Sequence, residues 1–173
     1  MENHALVPLL YEELRAIARR QLSGDRIASS LRPTELVHEA FLRLESSGIA
    51  SPDDRNEVLA LASTLMRNLL VDRARRRQTI KRGGDLIRVP LFDETASVPS
   101  SGWIDILALD RALTRLEDLD QRAAKVVQLR FFGGLTEAEI AAQMNITDRW
   151  VRKIWAHARA WLYRELSESD SLG

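Results

Sequence analysis

The chain has 173 residues, 45% of them hydrophobic and 29% charged, enough for one domain or two small ones. Its 25 basic residues balance 25 acidic ones, so the distribution of charge, not its sum, must speak for or against a nucleic-acid partner. The absence of cysteine excludes disulfides, thiolate nucleophiles and thiolate zinc sites and fits a reducing cytoplasm, while His4, His38 and His157 have no metal-ligand spacing.

No apolar run is long enough to span a membrane, the first residues do not read as a signal peptide, and nearly every segment reads helical, which predicts an all-α fold. Val7 to Leu22 is amphipathic, with Leu10, Leu14, Ile17 and Ala18 on one stripe and Gly24 after its end. Pro33 and Thr34 open a second helix through Leu44. Its apolar positions are Leu36, Val37, Ala40, Phe41 and Leu44, and its polar side holds Glu35, His38, Glu39 and Arg43. Ser46, Ser47 and Gly48 break that pattern.

Ser51-Pro52-Asp53-Asp54 is a helix start, with a cap, a proline at the first position and acid in the first turn. The long helix after it has Val58, Leu61, Ala62, Leu65 and Leu69 as its buried stripe. Its C-terminal part carries Arg67, Arg73, Arg75, Arg76, Arg77, Lys81 and Arg82 against the single acid Asp72. Basic residues at a helix end complement the macrodipole. This run lasts for about three turns at ~3.6 residues per turn, more than capping needs, and reads as a phosphate-binding surface.

Gly83-Gly84 ends the helix, and Pro90, Pro99, Gly102 and several serines make residues 83–102 a linker. Within it, Leu86 to Leu91 fits a short extended segment with no evident partner strand. From Trp103 the pattern is helical again, with Ile106, Leu109, Leu113 and Leu116 on one stripe. Asp118 and Asp120 can cap a helix from Gln121 to Phe131, and Gly133-Gly134 follows it. The chain thus divides into a domain at 1–82, the linker, and a domain at 103–173.

Leu135 to Ala158, LTEAEIAAQMNITDRWVRKIWAHA, has the pattern of a helix-turn-helix. Thr136 and Glu139 form a capping box, Ile140 and Ala141 share the inner face, and Asn145 occupies a turn that needs a left-handed backbone. Ile146 fills the corner and Thr147 caps a second helix, whose inner face is Val151, Ile154, Trp155 and Ala158. Its outward face carries Arg149, Arg152, Lys153 and His157, donors for guanine edges and cations for phosphates in a major groove. That helix is predicted to run to about Leu166, with a disordered acidic tail from Glu168.

This order of elements resembles a bacterial RNA polymerase sigma factor of the sigma-70 family, in its compact two-domain extracytoplasmic-function (ECF) subgroup. The carrying stretches are PTELVHEAFLRL at 33–44, LMRNLLVDRARRR at 65–77, and LTRLEDLDQRAAKVVQLRFFGGLTEAEIAAQMNIT at 113–147. The first of these resembles an ECF-like branch with a TxLVHEAxLRL motif. The resemblance implies a sigma-2-like first domain that binds the clamp helices of the polymerase largest subunit, with Glu35, His38, Glu39 and Arg43 as contact candidates. It implies recognition and opening of the promoter −10 element by Arg67, Asn68, Arg73, Arg75, Arg76 and Arg77, with the Asn68 amide on a base edge. A family Asp matches Asp72, which a structural salt bridge explains equally well. The second, sigma-4-like domain then meets the flap of the second-largest subunit and reads the −35 element with Thr147, Arg149, Trp150, Arg152, Lys153 and His157. The implied protein is a cytoplasmic specificity subunit with no cofactor and no catalysis of its own. Its partners are core polymerase and promoter DNA. An anti-sigma factor is open as a further partner, which no residue pattern identifies.

Two features depart from the family pattern. No aromatic residue lies between Val58 and Arg82, so aromatic stacking on an unpaired base is not available there, and the alternatives are a neighbouring loop at 45–53 or shape and charge. Trp150 stands where the family usually has a small hydroxyl residue, and Ile154 where it is often polar. Trp150 has two readings, contact with a thymine methyl or packing on the preceding helix, and packing is the expectation. A stand-alone helix-turn-helix regulator would explain 131–160 but not the arginine-rich helix. A recombinase-like enzyme lacks its nucleophile and acid cluster, since Tyr11 and Tyr163 are isolated.

Overall fold

A computed structural model describes residues 3–22, 32–46, 55–80, 87–90 and 103–171. Among them, as the patterning predicts, helix dominates. The N-terminal half supplies α1 (Asn3–Leu22), α2 (Pro33–Ser46) and α3 (Arg55–Ile80). The predicted start at 51–54 and the end of the basic run at Lys81 and Arg82 lie outside the described residues, and of the loop proposed at 45–53 only 45–46 are described, as the end of α2. α1 buries its predicted stripe of Leu10, Leu14, Ile17 and Ala18, and α2 buries Leu36, Val37 and Ala40. The Tyr11 and Phe41 rings meet at 5.7 Å, tilted by 49°, where the two helices touch.

α3 departs from the single stripe that its sequence predicts. Leu61 and Leu65 are only partly buried. Leu59, Ala60, Ser63, Met66, Leu70, Val71 and Ala74 are buried beside Val58, Ala62 and Leu69. The reason is that α3 is packed on both sides. α1 and α2 cover one side, and the other lies against α4 (Ile106–Leu119), α5 (Gln121–Phe131) and α6 (Glu137–Met144) of the C-terminal half. A helix with two buried faces loses the one-sided periodicity that sequence reading relies on. The hydrophobic core runs through both halves with α3 in its middle, and each fully buried Leu or Met there contributes roughly 1.5–3 kcal/mol.

Between the halves lies a short antiparallel ribbon of β1 (Arg88–Pro90) and β2 (Trp103–Asp105), with Val89 opposite Ile104. The extended segment therefore has a partner, and Trp103 to Asp105 is strand where helix is predicted. Asp105 explains the boundary: its carboxylate accepts the N–H groups of Leu107 and Ala108, both at 3.3 Å, so α4 begins at Ile106. Ile87 and Val89 are buried, which fastens the ribbon to the core. The remainder of 83–102 lies outside the described residues.

Asp120, not Asp118, caps α5 by accepting the N–H of Ala123 at 2.9 Å. Gly134 then turns the chain at φ +65°, and a Cβ there would lie 2.9 Å from both Cγ1 and Cδ1 of Ile17 on α1. Only glycine permits both that backbone and that approach. The last helix, α7 (Asp148–Ser171), continues through the acidic residues predicted to be disordered. Its buried stripe extends to Leu162 and Leu166, and the Arg115–Glu165 ion pair ties this part of the helix to α4.

Candidate nucleic-acid interface

The helix-turn-helix is built as its local chemistry requires. Thr136 Oγ1 accepts the N–H of Glu139 at 3.3 Å, and the Glu139 carboxylate accepts the N–H of Thr136 at 2.7 Å, closing the capping box at the start of α6. Asn145 ends α6 in the left-handed conformation, φ 54° and ψ 48°, which an amide side chain tolerates. Ile146 packs partly buried in the corner, and Thr147 Oγ1 accepts the N–H of Trp150 at 3.2 Å to cap α7. Val151 and Ala158 are fully buried, with Ile154 and Trp155 packed beside them. These contacts set the rotation of α7 and leave Thr147, Arg149, Trp150, Arg152, Lys153 and His157 exposed.

The outward face is not uniformly free. Arg152 Nε lies 3.5 Å from Glu137, which also holds Arg130 at 3.1 Å, while Arg130 sits 4.7 Å above the Trp155 ring. Trp150 lies outside the buried stripe of α7. It is 42% exposed, and the Lys153 ammonium lies 5.2 Å from its ring centroid. At ~3.6 residues per turn Trp150 sits about 100° from Val151, off the buried stripe.

Arg55, at the start of α3, binds Glu13 on α1 at 2.8 Å and also pairs with Glu139 of the capping box. Burial pushes the Glu139 carboxyl up, but the backbone N–H of Thr136 and the Arg55 guanidinium outweigh it and hold the group below its ordinary value of 4.5. The unfolded chain then binds that proton more readily than the folded one. The contribution is complete above pH 4.5 and is lost as pH falls through the lower folded value. Acid titration of the helical signal is therefore expected to show a higher unfolding pH for Glu139→Gln. Glutamine keeps the capping box but not the charge, so an unchanged acid midpoint would contradict the assignment.

The basic end of α3 divides by environment. Asn68, Arg75 and Arg76 are exposed, Arg73 and Arg77 are partly covered, and Arg67 is buried. Arg73 binds Glu39 of α2 at 3.2 Å, and Arg75 lies 3.8 Å from Asp110 of α4. Arg67 Nε donates to Asp110 at 2.8 Å, and its Nη1 donates to Gln128 at 3.0 Å and to Glu117 at 3.3 Å. Gln128 in turn donates to Thr64 of α3 at 2.8 Å. Arg67 in this packed chain is therefore a tie between α3, α4 and α5, away from solvent. On α2, Glu35 and His38 are exposed, while Glu39 lies between Arg43 at 3.1 Å and Arg73.

The family model for ECF sigma factors matches residues 2–168, nearly the whole chain. The chain belongs to the ECF sigma factor family. It is also 32% identical over 66 residues to a protein named RNA polymerase sigma-F factor from Priestia megaterium, a stretch that covers 38% of this chain and 25% of that relative. The chain thus matches about a quarter of that relative's length. No solved structure matches. In this ECF sigma factor α6 and α7 form the helix-turn-helix, and Glu35 and His38 lie on the exposed side of α2. The Arg55–Glu139 and Arg67–Asp110–Gln128 ties are additions that sequence reading misses. Their partners lie 84, 43 and 61 residues apart, and nothing local marks them.

Proposed function

We propose that this chain is a promoter-specificity subunit: it binds core RNA polymerase through α2, reads the −35 element with α7 and helps open the −10 element with the basic end of α3. It works in the cytoplasm and adds no chemistry of its own. The observation that carries this reading is the face of α7. Arg149, Arg152, Lys153 and His157 stand exposed above a stripe buried at Val151 and Ala158, the arrangement by which a recognition helix offers donors to base edges. For core polymerase the contacts we assign are Glu35, His38, Glu39 and Arg43. Glu35 and His38 are the test pair because both are exposed and no described ion pair involves them. The double variant Glu35→Ala/His38→Ala is expected to fold normally and to bind core polymerase at least ten-fold more weakly in a titration. Unchanged affinity would remove α2 from that role.

The same reading assigns the two halves separate tasks, 1–82 at −10 and 103–173 at −35. The two elements lie about 25 base pairs apart, roughly 85 Å at ~3.4 Å per step. A compact chain of this length has a radius of gyration of only about 16 Å. The packing of α3 on α4 and α5 must therefore part when both elements are engaged, and Arg67 reaches −10 phosphate only after leaving Asp110 and Gln128. The cysteine-free chain allows dyes at Glu57→Cys and Lys125→Cys, both exposed positions. Energy transfer is expected to be high in the free chain and to fall sharply in the promoter complex. Transfer that stays high would mean that the halves act as one body.

A further inference from the structure

We infer that Trp150 reads a thymine: its indole meets the C5-methyl group of one thymine in the major groove of the −35 duplex. The inference rests on the promoter reading above and adds to it the base that this side chain selects. A lone exposed apolar residue is ordinary on a protein surface, so exposure alone says nothing. Position and neighbours decide. Trp150 lies in the first turn of α7, the part of a recognition helix that reaches base edges. Its backbone N–H donates to Thr147 Oγ1 at 3.2 Å, and the adjacent Val151 is fully buried, so the face of α7 from which the side chain leaves is set before DNA arrives. The flank it occupies is shared with Lys153 and His157, three and seven residues on, and all three are exposed.

The chemistry of that flank fits one base feature. The only apolar group in the major-groove code is the thymine methyl. A large indole among cations finds no other apolar partner on a base edge. The Lys153 ammonium, 5.2 Å from the ring centroid, sits at one side of the indole and holds it by a cation–π interaction. A cation is thereby presented beside the methyl-reading surface, suited to the phosphate or guanine of a neighbouring position.

The experiment uses the holoenzyme assembled from the full chain and core polymerase. It first selects duplexes from a pool randomised over the −35 region, then replaces each thymidine of the selected site with deoxyuridine, which removes only the methyl. One position is expected to lose about four-fold in affinity, the worth of one methyl taken out of water. Trp150→Ala is expected to abolish that methyl dependence, and Trp150→Phe, which keeps an apolar ring, to retain part of it. The proposal is overturned if no thymine of the selected site shows methyl dependence, or if Trp150→Ala keeps the dependence of the natural chain. Dependence on guanine N7, seen with 7-deazaguanine and abolished by Trp150→Ala, would make the indole a hydrogen-bond donor and equally overturn it. If the holoenzyme selects no sequence at all, the promoter reading falls and this inference with it. A selected site without methyl dependence removes this inference alone.

Discussion

Arg67→Ala is expected to cost the packed chain about 3 kcal/mol, the lower end of the ~3–5 kcal/mol seen when one partner of a buried pair is removed. The guanidinium side chain is 11% exposed and its main partner Asp110 is 18% exposed, so alanine leaves a carboxylate with little water and Gln128 without its donor. The Glu117 pairing adds little, because that carboxylate is 48% exposed and well solvated. A destabilisation of this size is a large fraction of the stability of a small domain. Urea denaturation followed by circular dichroism measures it. Arg67→Met combined with Asp110→Leu should recover most of the stability, since an apolar pair of similar volume leaves no buried charge unpaired and the former partners Arg75 and Glu117 are well solvated. A single variant within ~0.5 kcal/mol of the natural chain, about what an ordinary surface substitution costs, would mean that the network adds nothing.

Arg152→Ala with Lys153→Ala is expected to weaken −35 recognition by ten-fold or more while leaving fold and core binding unchanged. Both side chains are exposed and neither belongs to the buried stripe. A hydrogen-bonded guanine is worth ~1–3 kcal/mol of recognition, and removing a cation from a phosphate flattens the dependence of binding on salt. Arg152 also leaves Glu137, but at 3.5 Å and 62% exposure that pair contributes little to stability. Promoter binding by the holoenzyme across a salt series measures both effects. An equal fall in core binding would show that the change acts through the fold.

How far these surfaces can be read from sequence follows the range of the interactions that build them. The helix-turn-helix is legible because its parts are neighbours: Thr136 and Glu139 lie three residues apart, and Asn145 and Thr147 mark the turn. The amphipathic stripe of α1 is legible for the same reason. α3 is not, because its second buried face is created by helices that follow it in the chain, and Met66, Leu70 and Ala74 show no sign of that in a one-sided pattern. The burial of Arg67 is hidden in the same way. In a run of arginines its residue type says phosphate binding, and only the arrival of Asp110 and Gln128 in space makes it a tie. The ribbon needs Trp103 to Asp105 to pair with a strand inside the 83–102 segment, which helical patterning after Trp103 conceals. Trp150 is a different case. Sequence alone allows packing or contact with a base, and the phase set by Val151 leaves the indole outward.

Reconstituted transcription tests the central claim most directly. Core RNA polymerase is mixed with the natural chain or with Arg152→Ala/Lys153→Ala, and run-off products are mapped on genomic fragments. The account predicts discrete start sites that depend on the natural chain. From promoters that need their −35 element, the double variant should yield at least ten-fold less product while still co-purifying with core. Normal transcription by the double variant from such a promoter, or no association of the natural chain with core, would contradict it.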